Sequence, residues 1–179
     1  MNVVATADLG QPVNLMKVSE LETIEYDQTK YQGRAAYFKS PSMEGKVTIF
    51  GSGKLISVGT RSVERAKKEL EETVIFLAKN GLIKKTKIAV SVRNIVMSLD
   101  IGHPIDIEQL YLNMPNFVYE PEQFPGAIWR PSSIQNGTVL VYSNGKLIIA
   151  SLVSTEAISS IVEELEHSLA SALGLHHVQ

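Results

Sequence analysis

Hydrophobic and polar positions alternate in several short runs of the chain, and these runs predict β-strands. Leading runs cover about 2–9 and 87–101, and later runs flank the turns GSGK at 51–54 and SNGK at 143–146. A period of two is typical of a strand, and a glycine-containing turn between two such runs predicts a hairpin. The pattern therefore predicts a largely antiparallel sheet.

Other stretches have apolar residues at helical spacing. They predict long helices over 62–80 and 155–173, with Gly81 and Gly174 placed just past the ends as C-cap residues. Short helices are expected over 14–22 and 106–113, after the N-cap residues Asn14 and Asp106. Strands and helices together predict an α+β fold.

The same series of elements occurs twice. NVVATADLG at 2–10 matches NIVMSLDIG at 94–102, and VTIFGSGKLISVG at 47–59 matches VLVYSNGKLIIAS at 139–151, both at an offset of 92 residues. A fixed offset over most of a chain indicates an internal repeat. We expect two copies, 1–86 and 87–179, which form one intimate domain.

The predicted strands are apolar on both faces. In 47–59, Val47, Ile49, Leu55 and Ser57 alternate with Thr48, Phe50, Ile56 and Val58. The long helices can cover only one face. An uncovered apolar face is typical of an interaction surface.

Each copy also places an aromatic residue on a predicted loop. YEPEQFPGAIWR at 119–130 contains Phe124 before Pro125 and Gly126, and EYDQTKYQGRAAYF at 25–38 contains Tyr31 before Gly33. A bulky aromatic on a loop is costly to expose, so we expect a binding role for both.

Composition excludes several classes of protein. The chain has no cysteine, no apolar run long enough to span a bilayer and no signal-peptide pattern, so we expect a cytoplasmic protein. GSGK lacks the spacing of a phosphate-binding loop, and His176 and His177 read as a solvated tail. No catalytic arrangement, cofactor or metal site is expected.

Charge is distributed unevenly along the chain. Residues 1–90 hold 14 Lys/Arg and 10 Asp/Glu, a net of +4, whereas residues 91–179 hold 3 and 9, a net of −6. The two halves add up to the net charge of −2 for the whole chain. Such polarity can orient a partner, although drift in surface charge would give the same pattern.

The two leading strands, the hairpin turns, the two-copy organisation and YEPEQFPG together resemble the TATA-binding protein family, in its archaeal form. The resemblance implies a saddle: a curved antiparallel sheet with helices on the convex face and pseudo-two-fold symmetry. It also implies a transcription initiation factor that binds the minor groove of A·T-rich promoter DNA and bends it with aromatic wedges, a mode of which this family is a standard example.

The resemblance assigns roles residue by residue. The wedge pairs are Tyr31 with Phe50 and Phe124 with Tyr142, and Pro125 stiffens the second loop. Asn2 and Asn94 correspond to donors to groove acceptors. The remaining DNA-binding positions are an apolar floor of Val4, Thr48, Ile56, Val96, Leu140 and Ile148, the central positions Val58 and Ala150, and phosphate contacts at Lys54, Arg61, Arg130 and Lys146.

The resemblance also implies partners. Glu120 and Glu122 would meet transcription factor B, RNA polymerase would follow indirectly, and the protein would associate with the archaeal nucleoid. The open face could also support weak self-association.

Departures from the family pattern include Val58 and Ala150 in place of Thr, Tyr37 in place of Arg and ASLV at 150–153. These favour an alternative in which a diverged saddle acts mainly in protein–protein interaction.

Overall fold

The computed structural model describes residues 1–133 and 137–172. The chain divides into two compact units, Met1–Asn94 and Ile95–Gln179. Each unit combines an antiparallel sheet with helices, which confirms the predicted α+β class. The predicted positions Gly174, His176 and His177 lie outside the described residues.

The first unit begins with the leading strand and ends its regular structure with a long helix. Its elements are β1 (Asn2–Asp8), α1 (Leu15–Val18), β2 (Ile24–Tyr26), β3 (Ala35–Phe38), β4 (Lys46–Phe50), β5 (Lys54–Thr60) and α2 (Val63–Lys79). The strands are hydrogen-bonded in the order β2-β3-β4-β5-β1, each antiparallel to its neighbour.

The second unit has the same series of elements, and its leading strand starts just before the unit boundary. The elements are β6 (Ser91–Asp100), α3 (Ile107–Asn113), β7 (Phe117–Val118), β8 (Ala127–Trp129), β9 (Thr138–Val141), β10 (Lys146–Leu152) and α4 (Glu156–Ala172). The strand order is β6-β10-β9-β8-β7, again antiparallel.

Local sequence signals account for the helix ends. The side chain of Asn14 accepts hydrogen bonds from the N–H groups of Met16 and Lys17, and that of Asp106 accepts one from the N–H of Gln109. Gly81, with φ +69°, follows α2: its N–H donates to Ala78 O and the N–H of Leu82 donates to Leu77 O. This is the double bond of a Schellman motif, so the predicted C-cap is confirmed.

Two predicted boundaries were wrong. The helix expected over 14–22 ends at Val18, because Ser19 Oγ donates to Met16 O and competes with continued helix. The strand expected from 87 starts only at Ser91.

Burial alternates along the strands as the pattern predicts. Val3, Ala5 and Ala7 of β1 are buried, whereas Val4 and Thr6 between them stay half-buried. Helix α2 packs on β1, β4 and β5 and buries Ala66, Leu70 and Leu77. We call the side of each sheet that carries the half-buried alternate residues its open face.

Hairpin tips are fixed against the loop that follows each leading strand. In the first unit the N–H of Leu9 donates to Gly53 O at 3.0 Å, and in the second the N–H of Ile101 donates to Gly145 O at 3.1 Å. A Cβ on Gly53 would collide with the carbonyl oxygen of Gln11, and one on Gly145 with that of His103. Both tips therefore require glycine.

In each unit a helix carboxylate holds the loop before the central hairpin. Glu69 Oε1 accepts the N–H groups of Glu44 at 2.7 Å and Gly45 at 3.1 Å. Glu164 accepts those of Ser132 at 2.7 Å and Ser133 at 2.8 Å. Partial burial raises the pKa of Glu164, but the hydrogen bonds from the two serines outweigh it, so the pKa lies below its ordinary value.

Candidate nucleic-acid interface

The structure brings each predicted pair of aromatic residues together. The ring centroids of Tyr31 and Phe50 are 6.3 Å apart at an interplanar angle of 77°, and those of Phe124 and Tyr142 are 5.9 Å apart at 62°. Both are edge-to-face arrangements, which stabilise a pair beyond its buried area. Each unit therefore presents one aromatic pair at a loop and a hairpin.

The first loop holds its aromatic residue in an unusual backbone conformation. Tyr31, Gln32 and Gly33 have φ values of +49°, +55° and +69° in succession. The left-handed region costs a non-glycine residue on the order of 1–2 kcal/mol. Tyr26 Oη donates to Gly33 O at 3.0 Å and helps to hold the turn, which leaves Tyr31 64% exposed.

The second loop reaches a similar pairing by other means. Pro125 restricts φ to negative values, and the N–H of Phe124 donates to Glu120 O at 3.0 Å. A Cβ on Gly126 would lie 3.0 Å from the ring of Phe124 and 3.1 Å from that of Tyr142. Gly126 thus leaves room for the rings to meet, and Phe124 is half-buried.

Asn2 and Asn94 differ in their hydrogen bonds. The N–H of Gly59, a bulge residue with φ +94°, donates to Asn2 Oδ1 at 3.0 Å. Because a backbone N–H can only donate, the oxygen of Asn2 is committed and its amide NH₂ points elsewhere. Asn94 Oδ1 is buried and has no hydrogen-bond partner within the described ranges.

The open face of each unit is lined mostly by apolar residues. In the first unit the strand register pairs Val4 with Val58 and Thr48 with Ile56, and in the second it pairs Ile148 with Leu140. The predicted floor residues Val4, Ile56, Val96, Leu140 and Ile148 and the predicted central positions Val58 and Ala150 are all half-buried. Thr48, between Tyr37 and Ile56 in register, is more enclosed, at 8% exposed.

The predicted phosphate contacts carry uncommitted charge. Lys54, Arg61, Arg130 and Lys146 are exposed. In the part of the chain that the structure describes, the ion pairs are Lys30–Glu25 and Arg65–Glu69, so none of the four cations has an acidic partner there. Glu120 and Glu122 are also exposed.

Sequence reasoning missed two polar residues on the first unit. Arg93 Nε donates to Thr6 Oγ1 at 3.0 Å, on the side of the sheet that carries Ile56. Thr6 is a polar residue next to Val4 on the open face of β1, and Arg93 directly precedes Asn94. These two positions are the sequence signals that could have identified Thr6 and Arg93.

Other types of site find no support in the described residues. No group of three or more His, Asp or Glu residues is arranged there to hold a metal ion. No helix in the described ranges is long and apolar enough to cross a membrane.

Similarity to known proteins covers nearly the whole chain. Residues 1–80 and 89–172 match the family model described as transcription factor TFIID, or TATA-binding protein. The chain is 40% identical over 156 residues to the TATA-box-binding protein of Cenarchaeum symbiosum, covering 87% of this chain and 85% of that protein. It is 32% identical over 170 residues to that of Methanothermobacter thermautotrophicus, covering 94% and 92%.

A solved structure agrees with the sequence comparison. The TATA-binding protein of Methanococcus jannaschii superposes with a TM-score of 0.81 at 26% identity, covering 96% of this chain and 97% of that one. Family model, relatives and fold all match over most of the length of the chain. The chain belongs to the TATA-binding protein family.

Proposed function

We propose that this protein is a general transcription initiation factor that binds the minor groove of A·T-rich promoter DNA and bends it. The observation that carries the proposal is the duplicated aromatic pair, Tyr31–Phe50 and Phe124–Tyr142, next to an apolar open face in each unit. Flat side chains can insert between base steps, where they unstack the bases and kink the duplex.

The chemistry of the open faces suits the minor groove of A·T pairs. That groove offers acceptors at A N3 and T O2, whereas a G·C pair adds the protruding N2 amino donor. The Asn2 oxygen accepts from the N–H of Gly59, and its amide NH₂, which has no hydrogen-bond partner among the described residues, can donate to those acceptors. Val4, Ile56 and Ile148 offer no acceptor to a guanine amino group, so a G·C pair would bury an unsatisfied donor.

Electrostatic attraction to DNA should be stronger at the first unit than at the second. Lys54 and Arg61 are available there, and Arg130 and Lys146 in the second, against a background of +4 for residues 1–90 and −6 for residues 91–179. Each cation that neutralises a phosphate releases counterions and steepens the dependence of affinity on salt. We expect DNA binding to depend mainly on charge in the first unit and mainly on apolar contact in the second.

Partners follow from the same assignment. We propose that the DNA-bound protein recruits transcription factor B, through a surface that includes Glu120 and Glu122, and RNA polymerase indirectly. Both glutamates are exposed beside the Phe124 loop and can meet a basic partner surface. The protein would then be found on the archaeal nucleoid. The alternative of a module for protein–protein interaction is not favoured, since the relatives are named TATA-box-binding proteins.

A DNA-bending assay tests the proposal. Energy transfer between dyes on the two ends of a duplex is measured at several salt concentrations, for an A·T-rich duplex, a G·C duplex and a duplex with I·C pairs. Inosine lacks the N2 amino group, so I·C pairs present the minor groove of A·T pairs. We expect bending of the A·T and I·C duplexes only. Equal binding of all three without bending would contradict the proposed function.

A further inference from the structure

The guanidinium of Arg93 lies at a cleft on the first unit. The cleft has a volume of about 420 Å³, and its lining includes Thr6, Phe50, Lys54, Ile56 and Arg93. Phe50 belongs to the first aromatic pair, and Ile56 to the apolar floor. The cleft therefore adjoins the surface to which the proposed function assigns DNA, but neither Arg93 nor Thr6 has a role in that function.

The Nε edge of Arg93 is held by a hydrogen bond, and its two Nη atoms have no hydrogen-bond or ion-pair partner among the described residues. Its Nε donates to Thr6 Oγ1 at 3.0 Å, and its side chain is exposed. Guanidinium has five N–H donors in one plane, so four remain on the two Nη atoms. The acidic residue of the cleft, Asp8, accepts the N–H of Gly10 at 2.9 Å, and within the described residues it makes no ion pair with Arg93.

A cation held in this way matches one ligand chemistry. The minor groove of A·T-rich DNA has a negative potential, which attracts arginine. The free Nη donors match the A N3 and T O2 acceptors, whereas the amino donor of guanine would face another donor. Thr6 limits the rotation of the long side chain before binding, which reduces the entropy lost in the complex.

We propose that Arg93 reads base edges in the minor groove and that Thr6 is its positioning residue. The proposal rests on the proposed function, because it requires DNA on the open face of the first unit. It adds a specificity determinant that the internal repeat does not duplicate. By the 92-residue offset, Met1 is equivalent to Arg93 and Ser98 to Thr6, so the equivalent pair has no guanidinium.

Four variants and their controls test the proposal by fluorescence anisotropy on A·T, G·C and I·C duplexes. Arg93→Ala should lower affinity for the A·T and I·C duplexes by about tenfold, within the range for a lost bidentate base contact. It should change affinity for the G·C duplex much less, so that discrimination falls. Arg93→Lys keeps the charge but not the planar fork, so it should keep the salt slope and lose discrimination. The exposed Lys85→Ala is the matched control for a lost cation.

The positioning role needs a separate readout. Thr6→Val removes the hydroxyl at similar volume and should lower A·T affinity about threefold in the wild type. In the Arg93→Ala background the same change should have no effect, because coupled residues are not additive. Ser98→Val, at the equivalent position of the other copy, should not couple to Arg93. Thermal unfolding of every variant verifies that the fold is kept.

Each contrary outcome has a distinct meaning. If Arg93→Ala weakens all three duplexes equally and lowers the salt slope by about one unit, the contact is with phosphate and the proposal is overturned. Wild-type affinity in Arg93→Ala also overturns it, and equal losses from Thr6→Val in both backgrounds overturn the role of Thr6. If the wild type itself shows no preference for A·T over G·C, the proposed function fails, and this inference fails with it.

Discussion

The N–H of Gly59 donates to Asn2 Oδ1 at 3.0 Å, so a bulge in β5 determines which end of the Asn2 amide faces outward. Asn2→Asp keeps this acceptor and removes the outward NH₂. We expect thermal stability to be retained and A·T affinity to fall. Repulsion between the new carboxylate and phosphates is screened at high salt, so the measurement is anisotropy at low and at high salt. Wild-type affinity at high salt would show that the amide donates nothing to DNA.

Tyr31 and Phe124 should be needed for bending rather than for folding. Tyr31 is 64% exposed, so Tyr31→Ala should change the free energy of unfolding by less than about 0.5 kcal/mol. Both Tyr31→Ala and Phe124→Ala should abolish the change in energy transfer on an A·T duplex. Tyr111→Ala on α3, which removes a ring that is 51% exposed, is the matched control. A normal bend in the Tyr31 variant would exclude it as a wedge.

Salt dependence should identify the phosphate contacts of the first unit. Lys54→Ala with Arg61→Ala should lower the slope of log affinity against log salt by roughly two units. Lys67→Ala with Lys68→Ala removes equal charge from exposed positions of α2 and should leave the slope nearly unchanged. Conversely, Val153, at 67% exposed, offers room for a new contact, and Val153→Lys should steepen the slope by about one unit. Equal slopes for both double variants would contradict the assignment.

Glu122 should matter more for the ternary complex than for DNA binding. Glu122→Lys reverses an exposed charge beside the Phe124 loop and should weaken binding of transcription factor B to the DNA complex. Exposed ion pairs contribute about 0.2–1 kcal/mol, so a loss of a few-fold is expected. The measurement is a mobility-shift titration with and without the factor, and Glu163→Lys on α4 is the control. A reversal that leaves the ternary titration unchanged would remove Glu122 from the partner surface.

Glu164 should make stability depend on pH. Hydrogen bonds from Ser132 and Ser133 hold its folded-state pKa below the ordinary 4.5. A lowered pKa stabilises the fold fully above pH 4.5, and this contribution is lost as the pH falls through the folded-state pKa. Glu164→Gln should therefore destabilise the protein at pH 7 but hardly at pH 2. Denaturant unfolding at both pH values tests this, with the exposed Glu163→Gln as control; an equal loss at both would contradict it.

Sequence patterns predicted those features that depend on local chemistry. The alternation of residues along β4 and β5 predicted which of them share a face of the sheet. The cap residues Asn14, Gly81 and Asp106 were found where expected. Contacts between distant residues were not accessible in this way. The Arg93–Thr6 bond joins residues 87 positions apart, and a hydroxyl that holds a guanidinium leaves no periodic signal. The left-handed turn at Tyr31 and Gln32 also escaped prediction, since neither residue type favours that conformation.

Gly53 and Gly145 limit how a duplicated gene can diverge. Each glycine faces a backbone carbonyl, that of Gln11 or His103, and no change of a neighbouring side chain can move that oxygen away. Surface residues are under no such constraint, and the two copies now differ in sign of charge, while both keep Gly-Lys-Leu-Ile from the hairpin tip onward. The two copies therefore remain similar in sequence at the hairpin tips, where main chain packs against main chain. They have diverged where side chains contact only solvent.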